Sequence, residues 1–307
     1  MVASSLVAEP SLVAEPSRAR RQLTAAFLCL LLTGAACAQE RFSLFVGTEP
    51  DDVMRMLDIA GVREGDVIYD LGSGDGRIVL EAARRHPGIR GRGIEIDAEL
   101  VRDSTAAAKK SGLADRVTFL HQNAFDADLK DATVIVMWLW PELMRMLRTK
   151  LLAEARPGTR IVTRLWDLGS WPPDETDPKG VALFKWIVPA KIEGYWDWKL
   201  AFGGRAHAYS AVVEQRFQSA EGVVRVGNRR GVLDSVKLSG EEISFNLHMT
   251  VEPGGFLRHE FSGRVRDGVI EGTVRILKHP DDPIELPWRA QRVPSSAYFA
   301  PTGVGAK

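Results

Sequence analysis

The stretch that decides the fold is VIYDLGSGDGRIVL, residues 67–80, where an apolar run passes into an acid and a glycine-rich turn. Asp70 ends the apolar run, and the glycines follow on alternate positions, at Gly72, Gly74 and Gly76. In an open α/β sheet, ligands bind beyond the carboxyl ends of the strands, and glycines there let a nucleotide-like group approach backbone amides. The stretch therefore predicts a strand, a ligand-binding turn and a helix.

Two common nucleotide-binding motifs do not match the spacing of this turn. A dinucleotide fingerprint reads G-x-G-x-x-G, and counting from Gly72 places Arg77 at the third glycine. A phosphate-binding P-loop ends in lysine and a hydroxyl residue, which the segment GSGDGRI lacks. Asp70 would repel a phosphate but attract an ammonium group. The turn thus favours a ligand that carries an amine.

The chain around this turn alternates helical and strand patterns up to about residue 190. The predicted helices are 51–60, started by Asp51 or Asp52, 77–85, 97–111, started by Asp97, and one that begins at Pro141. The predicted strands are 67–70, 91–96, 117–121, 132–140 and 159–165. Alternation at these lengths is typical of a parallel, doubly wound sheet that helices cover on both faces.

After residue 190 the helical period gives way to short alternating runs separated by glycine turns. Between residues 243 and 249, apolar and polar side chains alternate, as in a half-buried antiparallel strand. Asp267-Gly268 between two such runs is a strong hairpin signal. We therefore predict one domain over 39–190, a small all-β antiparallel barrel or sandwich over 191–293, and a flexible tail over 294–307.

The first 38 residues read as a leader with a disordered start. Three arginines within residues 18–21 precede an apolar run at 23–32, and small residues lead to a cleavage site after Ala38. The run is shorter than the ~20 residues that span a bilayer, so no stable membrane span is expected. The leader predicts export, to the periplasm; lipidation at Cys37, or a cytoplasmic or membrane-attached protein, are the alternatives.

Composition narrows the classes of partner and chemistry. Forty basic and forty acidic residues give a net charge of zero, so no overall field steers the chain toward nucleic acid. Both cysteines, Cys29 and Cys37, lie in the leader, which removes disulfides and thiol chemistry from the predicted domains. The six histidines show no paired ligand spacing. We predict neither a metal nor a nucleic-acid partner, and the oligomeric state is left open.

The D-x-G-x-G-x-G turn resembles motif I of the class I S-adenosylmethionine-dependent methyltransferases. The resemblance implies a Rossmann-like doubly wound sheet and S-adenosyl-L-methionine as cofactor. It also implies that the turn wraps the amino-acid part of that cofactor, through Asp70, Gly72, Ser73, Gly74 and Gly76.

Two further cofactor contacts follow from the same resemblance. Glu95, near the end of GRGIEID, stands where the family's acid binds both ribose hydroxyls. Asn123, followed by Ala124, fills the place of an aspartate beside the adenine, and its amide can both accept and donate a hydrogen bond.

The resemblance narrows to the protein-lysine methyltransferases that include the mitochondrial ATP-synthase c-subunit enzyme and bacterial relatives. The segments that carry it are 65–85, 114–120, 146–162 and 171–173. The chain departs from this subgroup where Val46-Gly47-Thr48-Glu49 replaces V-P-T-P, Trp138 a tyrosine and Arg164 a histidine.

The subgroup implies that the acceptor is an amine on a protein, most simply lysine. Its pocket would lie between Thr48, Trp138, Trp140 and Trp171, where aromatic walls favour a cation and help the amine lose its proton. A small-molecule amine is an alternative acceptor. A different class of function is an exported, non-catalytic binding module whose β domain holds the ligand.

Overall fold

The computed structural model describes residues 45–278 and 283–293, which belong to one compact unit. The predicted leader with its cysteines, and the tail from residue 294, lie outside the described residues.

The first domain contains a seven-stranded sheet in the order β3-β2-β1-β4-β5-β7-β6. Because β1 lies between β2 and β4, the strand order reverses beside β1, which is where open α/β sheets bind ligands. In chain order the elements are α1 Pro50–Ala60, β1 Val67–Leu71, α2 Arg77–Arg85, β2 Arg90–Glu95, α3 Ala98–Lys110, β3 Val117–His121, a 3₁₀ turn Ala124–Asp126, β4 Val134–Met137, α4 Pro141–Glu154, β5 Arg160–Arg164, β6 Glu175–Asp177 and β7 Leu183–Ile187.

Helices cover both faces of this sheet, as predicted. Along β1, the side chain of Ile68 joins the core beneath α1 and α2, whereas Tyr69 joins the core beneath α4. The alternation repeats in β4, where Val134 and Ile135 enter opposite cores. Successive strand residues point to opposite faces, so apolar residues at every position are what a doubly covered sheet requires.

Three details differ from the sequence-based expectation. The sheet is not parallel throughout, because β7 runs antiparallel to both β5 and β6. Only residues 178–182 join β6 to β7, and so short a connection allows only an antiparallel pair. Helix α1 begins at Pro50 without a side-chain cap from Asp51 or Asp52. Strand β4 ends at Met137, which leaves residues 138–140 as a loop.

The second domain is a closed, eight-stranded antiparallel barrel, so the barrel alternative is confirmed over the sandwich. The predicted alternation near residue 245 and the hairpin at Asp267-Gly268 are both present. The strands are β8 Gly194–Phe202, β9 Arg205–Arg216, β10 Ser219–Val226, β11 Arg229–Ser239, β12 Glu242–Val251, β13 Gly255–Arg266, β14 Val269–Leu277 and β15 Ile284–Val293.

Aromatic side chains fill the interior of the barrel. The rings of Trp198 and Tyr209 are stacked with centroids 5.3 Å apart, and Phe261 and Trp288 pack beside them. The Tyr209 hydroxyl lies 2.9 Å from Nε2 of His259, whose pKa burial lowers to about 4. An eight-stranded barrel is just wide enough for side chains to fill it, so this interior is a packed core.

The barrel is attached to the first domain at two of its turns. At the β9–β10 turn, Gln218 Oε1 accepts a hydrogen bond of 2.9 Å from Nε1 of Trp171, and Phe217 stacks on the same indole. At the β11–β12 turn, the carbonyl of Gly240 accepts a bond of 2.7 Å from the amide of Ala190. The second attachment lies beside the amino ends of the sheet strands, which leaves their carboxyl ends free for a site.

Candidate active site

The glycine turn joins the end of β1 to the start of α2. Gly72, Gly74 and Gly76 have φ values of 85°, 54° and 80°, a backbone conformation that residues other than glycine rarely adopt. A Cβ atom on Gly72 would collide with Leu139, and one on Gly74 with the ring of Phe45. The glycines are therefore required by the backbone and by the side chains that pack directly on the turn.

Two polar side chains at this turn are buried and incompletely paired. Asp70 and Ser73 are 2% and 5% exposed, and the Asp70 Oδ2 and Ser73 Oγ atoms have no hydrogen-bond partner within residues 45–278 and 283–293. Burial, followed by the nearby charges of Glu95 and Asp75, raises the pKa of Asp70 to about 8. Leaving a buried polar group without a partner costs about 1–3 kcal/mol, so Asp70 and Ser73 together indicate a ligand that supplies the missing partners.

The carboxylate of Glu95 is anchored beside the turn at the end of β2. Its Oε2 accepts a bond of 2.8 Å from the amide of Gly74, and its Oε1 accepts bonds from the amides of Ile96 and Asp97 at 2.8 and 3.0 Å. Asp97 caps α3 by accepting from the amide of Glu99 at 2.9 Å, as predicted. The two neighbouring acids thus differ in placement: one faces the turn and the other caps a helix.

Asn123 and Ala124 follow β3, the strand next to β2. The Asn123 Oδ1 atom accepts a bond of 3.0 Å from the amide of Phe125 and so caps the 3₁₀ turn that begins at Ala124. This bond uses one lone pair of the amide oxygen, so Asn123 can still offer a ligand its NH₂ group and the second lone pair.

The predicted acceptor residues lie on the loop after β4 and on the segment before α1. Trp138 is partly buried, whereas Trp140 precedes α4 and is 51% exposed. Thr48 is buried, and its carbonyl accepts a bond of 2.8 Å from Nη1 of Arg77, a residue at the start of α2. Because Leu139 packs on Gly72, this loop lies against the glycine turn. The structure therefore brings these residues to the same edge as the predicted cofactor residues.

The prediction that Trp171 lines the acceptor pocket is wrong. Its indole is fully buried, lies between Trp186 and Phe217, and donates to Gln218. The long connection after β5 carries Trp171 to the interface with the barrel, where its bulk fills a core instead of a channel.

Comparison with known proteins identifies the family. Residues 70–175 match the family model described as "ANTKMT methyltransferase domain", a match that starts at the acid of the glycine turn. A protein-lysine N-methyltransferase of Saccharolobus islandicus is 39% identical over 131 residues, which are 43% of this chain and 81% of that protein. The chain belongs to this methyltransferase family.

Matches to two mouse relatives cover a smaller share of those proteins. The mouse adenine nucleotide translocase lysine N-methyltransferase is 32% identical, and the mouse ATP synthase c-subunit lysine N-methyltransferase is 30% identical. The matches span 42% and 43% of this chain, and 56% and 51% of the mouse proteins. A Salinibacter ruber structure, described as an RNA methyltransferase with S-adenosyl-L-homocysteine, is 46% identical, with a TM-score of 0.46 over 48% of this chain and 96% of that one.

Other residues at this edge of the methyltransferase domain were not predicted. Phe45 lies on the turn, and Trp166 follows β5 with 41% of its surface exposed. Trp166 is preceded by Leu165, whose φ is 72° and whose neighbours form a γ-turn, with the Trp166 amide donating to the Arg164 carbonyl at 2.9 Å. The signal that could have found Trp166 is the repeated Leu-Trp pair, at 139–140 after β4 and at 165–166 after β5.

Within the described ranges, no group of three or more His, Cys, Asp or Glu side chains is placed to hold a metal ion. Nor does any helix within these ranges combine the length and the hydrophobicity that a bilayer-spanning segment requires.

Proposed function

We propose that this chain binds S-adenosyl-L-methionine and transfers its methyl group to the amine of a protein lysine. The observation that supports cofactor binding most directly is the buried, unpaired oxygen of Asp70 beside the glycine turn. A carboxylate in that position favours a cationic partner, and the amino-acid part of the cofactor carries an ammonium group.

The other proposed cofactor contacts lie along the edge formed by the carboxyl ends of the strands. Ser73 offers a hydroxyl next to Asp70, Glu95 offers a carboxylate to the ribose hydroxyls, and Asn123 with Ala124 borders the adenine. When bound, the cofactor supplies a methyl group activated on a sulfonium. Phe45 and Leu139, which pack on the turn, would help to exclude water from that group.

Methyl transfer asks little acid–base chemistry of the protein. The acceptor nitrogen attacks in line, so the main tasks of the chain are to orient the two reactants and to keep water out. The amine must lose its proton before it can attack. Trp138 and Trp140, on the loop beside the turn, would form the walls along which the acceptor side chain enters.

Lysine is favoured as acceptor by the names of the relatives. The Saccharolobus islandicus relative and both mouse relatives are named as lysine N-methyltransferases. The Salinibacter ruber protein is described as an RNA methyltransferase, and the acceptor experiment below distinguishes RNA from lysine.

Calorimetric titration of the purified chain with S-adenosyl-L-methionine tests the first half of the proposal. We expect saturable binding. Asp58→Asn is a matched control for substitutions at the glycine turn, because Asp58 lies on α1, away from the turn, and forms an exposed ion pair with Arg85. Failure of the wild-type chain to bind the cofactor would refute the proposed function.

The acceptor is tested with methyl-labelled cofactor and an extract, followed by mass spectrometric location of the label. We expect label on lysine Nζ atoms of protein. Label confined to RNA, to small molecules or to carboxylate and hydroxyl oxygens would contradict the lysine assignment.

A further inference from the structure

One face of the Trp138 indole is already covered by a cation of the chain itself. The guanidinium carbon of Arg164, at the end of β5, lies 4.1 Å from the centroid of the Trp138 ring. This distance is a close cation–π contact, and Arg164 is only 7% exposed. The ring face beneath the guanidinium is therefore closed to a second cation.

Arg164 is held in this position by α1. Its Nε donates to Asp52 Oδ2 at 2.9 Å, and its Nη2 pairs with the same oxygen at 2.7 Å. The other oxygen of Asp52 accepts from Arg55 at 2.9 Å, and Arg55 in turn pairs with Asp177 of β6 at 2.9 Å. The guanidinium is thus fixed from two sides, by the indole and by the carboxylate.

The charged side chains of this ion-pair network do not all lie equally close to Trp138. The groups in contact with one another are two arginines and two aspartates, so their total charge is zero. Arg164 is the member that touches Trp138, whereas Asp52 lies on the α1 side of it. Within this series, the charged group in contact with Trp138 is therefore the cation of Arg164.

We propose that Arg164 makes the acceptor pocket select an unprotonated amine. The inference rests on the proposed function, since it takes Trp138 as a wall of the acceptor pocket. A fixed cation disfavours a neighbouring ammonium but not a neutral amine, and only the neutral amine has the lone pair that attacks the methyl group. The proton is released to solvent before the amine enters. The expectation that the tryptophan faces favour a cation thereby reverses at Trp138.

The test uses two probes that differ in whether they can lose their charge. The full chain is saturated with S-adenosyl-L-homocysteine and titrated by calorimetry with n-butylamine or with tetramethylammonium, which stays a cation. From about pH 7 to about pH 9 the neutral fraction of an amine with an ordinary lysine pKa rises about 100-fold. We expect the apparent affinity of the wild-type chain for n-butylamine to rise by a similar factor, and tetramethylammonium not to bind.

Arg164→Gln, combined with Asp52→Asn so that no unpaired carboxylate attracts the cation instead, should bind tetramethylammonium at about pH 7 about tenfold or more above the limit set by the wild type, because the repelling charge is gone. Arg92→Gln is the matched control: Arg92 also lies over an aromatic ring, that of Tyr69 at 5.3 Å, but on β2. It should behave like the wild type. A thermal melt checks folding, and Arg164→Met, which keeps the apolar stem, replaces a glutamine variant that does not fold.

Three results would overturn the inference: tetramethylammonium binding to the wild type as tightly as n-butylamine, no difference between the Arg164→Gln, Asp52→Asn double variant and Arg92→Gln, or no binding of n-butylamine at either pH. Failure of S-adenosyl-L-homocysteine to bind would be distinct from these, because it refutes the proposed function itself and the inference with it.

Discussion

Two aspartates at opposite ends of β1 are buried to almost the same degree and yet differ in every contact. Asp66, just before the strand, is 4% exposed and accepts from Thr133 Oγ1 at 2.7 Å, from the amide of Arg63 at 2.8 Å, and from the guanidinium of Arg160. Asp70, within the strand, is 2% exposed, and one of its oxygens has no partner among the described residues. A buried acid that the chain satisfies supports the fold, whereas one that it leaves unsatisfied indicates a ligand.

The same difference extends to the two edges of the sheet. At the amino-end edge, Gly240 of the barrel packs on Gly158 next to β5, and the cleft that remains is lined by groups that the chain already pairs, such as Asp66 with Arg160. The carboxyl-end edge instead exposes the large side chains of Phe45, Trp140 and Trp166. Apolar surface left open beside an unpaired buried carboxyl is typical of a binding site.

The largest expected effect is on stability, at the satisfied aspartate. Asp66→Asn leaves the guanidinium of Arg160, a largely buried group, without its carboxylate. Breaking a buried ion pair by removing one partner costs about 3–5 kcal/mol, so the free energy of unfolding should fall by that amount. Urea denaturation measures it. The affinity of the folded protein for S-adenosyl-L-methionine should not change. A loss of affinity without a loss of stability would show that Asp66 serves a ligand and not the fold.

The unsatisfied aspartate should show the opposite pattern. Asp70→Asn removes the charge expected to bind the ammonium group, and hydrogen bonds to charged groups contribute about 1.5–3 kcal/mol, which corresponds to a loss of affinity of about 10- to 150-fold. The free energy of unfolding near pH 7 should not fall and should rise, because an asparagine is neutral at every pH, whereas the buried Asp70, with a pKa raised to about 8, has to hold a proton in the folded state. Calorimetry and urea denaturation on the same sample separate the two effects.

The comparison also shows what the sequence could predict and where it failed. The glycine turn, Asp70 and Glu95 lie together because local spacing and strand order determine their positions. Trp171 was misplaced because its partner, Phe217, lies in the other domain, and no local pattern reveals a contact at that separation.

Trp166 was missed as a site residue, and Arg164 was named only as a departure from the subgroup, for a related reason. Their placement depends on a side-chain contact with α1 and on a γ-turn at Leu165, and neither has a marked sequence pattern. The antiparallel direction of β7 could not be predicted either, since its residues form an ordinary apolar run.

Burial of Asp70 also makes the stability of the fold depend on pH. The pKa of Asp70 is about 8 in the folded chain and 3.8 without the fold, so between these values the native state binds more protons than the unfolded state. Stability without ligand should therefore fall as the pH rises from about 4 to about 8. Asp70→Asn should reduce this slope in urea denaturation at a series of pH values. An identical slope in the variant would show that Asp70 titrates normally.

The smallest expected effect separates two adjacent acids at the end of β2. Asp97 caps α3, and replacing a capping aspartate by alanine costs about 1 kcal/mol. Asp97→Ala should thus lower the free energy of unfolding by that amount and leave the affinity for S-adenosyl-L-methionine unchanged. Glu95→Gln, two residues earlier, can keep the oxygen that accepts from the Ile96 and Asp97 amides, but it turns an NH₂ group toward the Gly74 amide and removes the charge proposed to bind the ribose hydroxyls. It should weaken cofactor binding as well as lower the free energy of unfolding by about 1 kcal/mol for the lost Gly74 bond. If Asp97→Ala and Glu95→Gln lose affinity equally, the proposed contact of Glu95 with the cofactor is wrong.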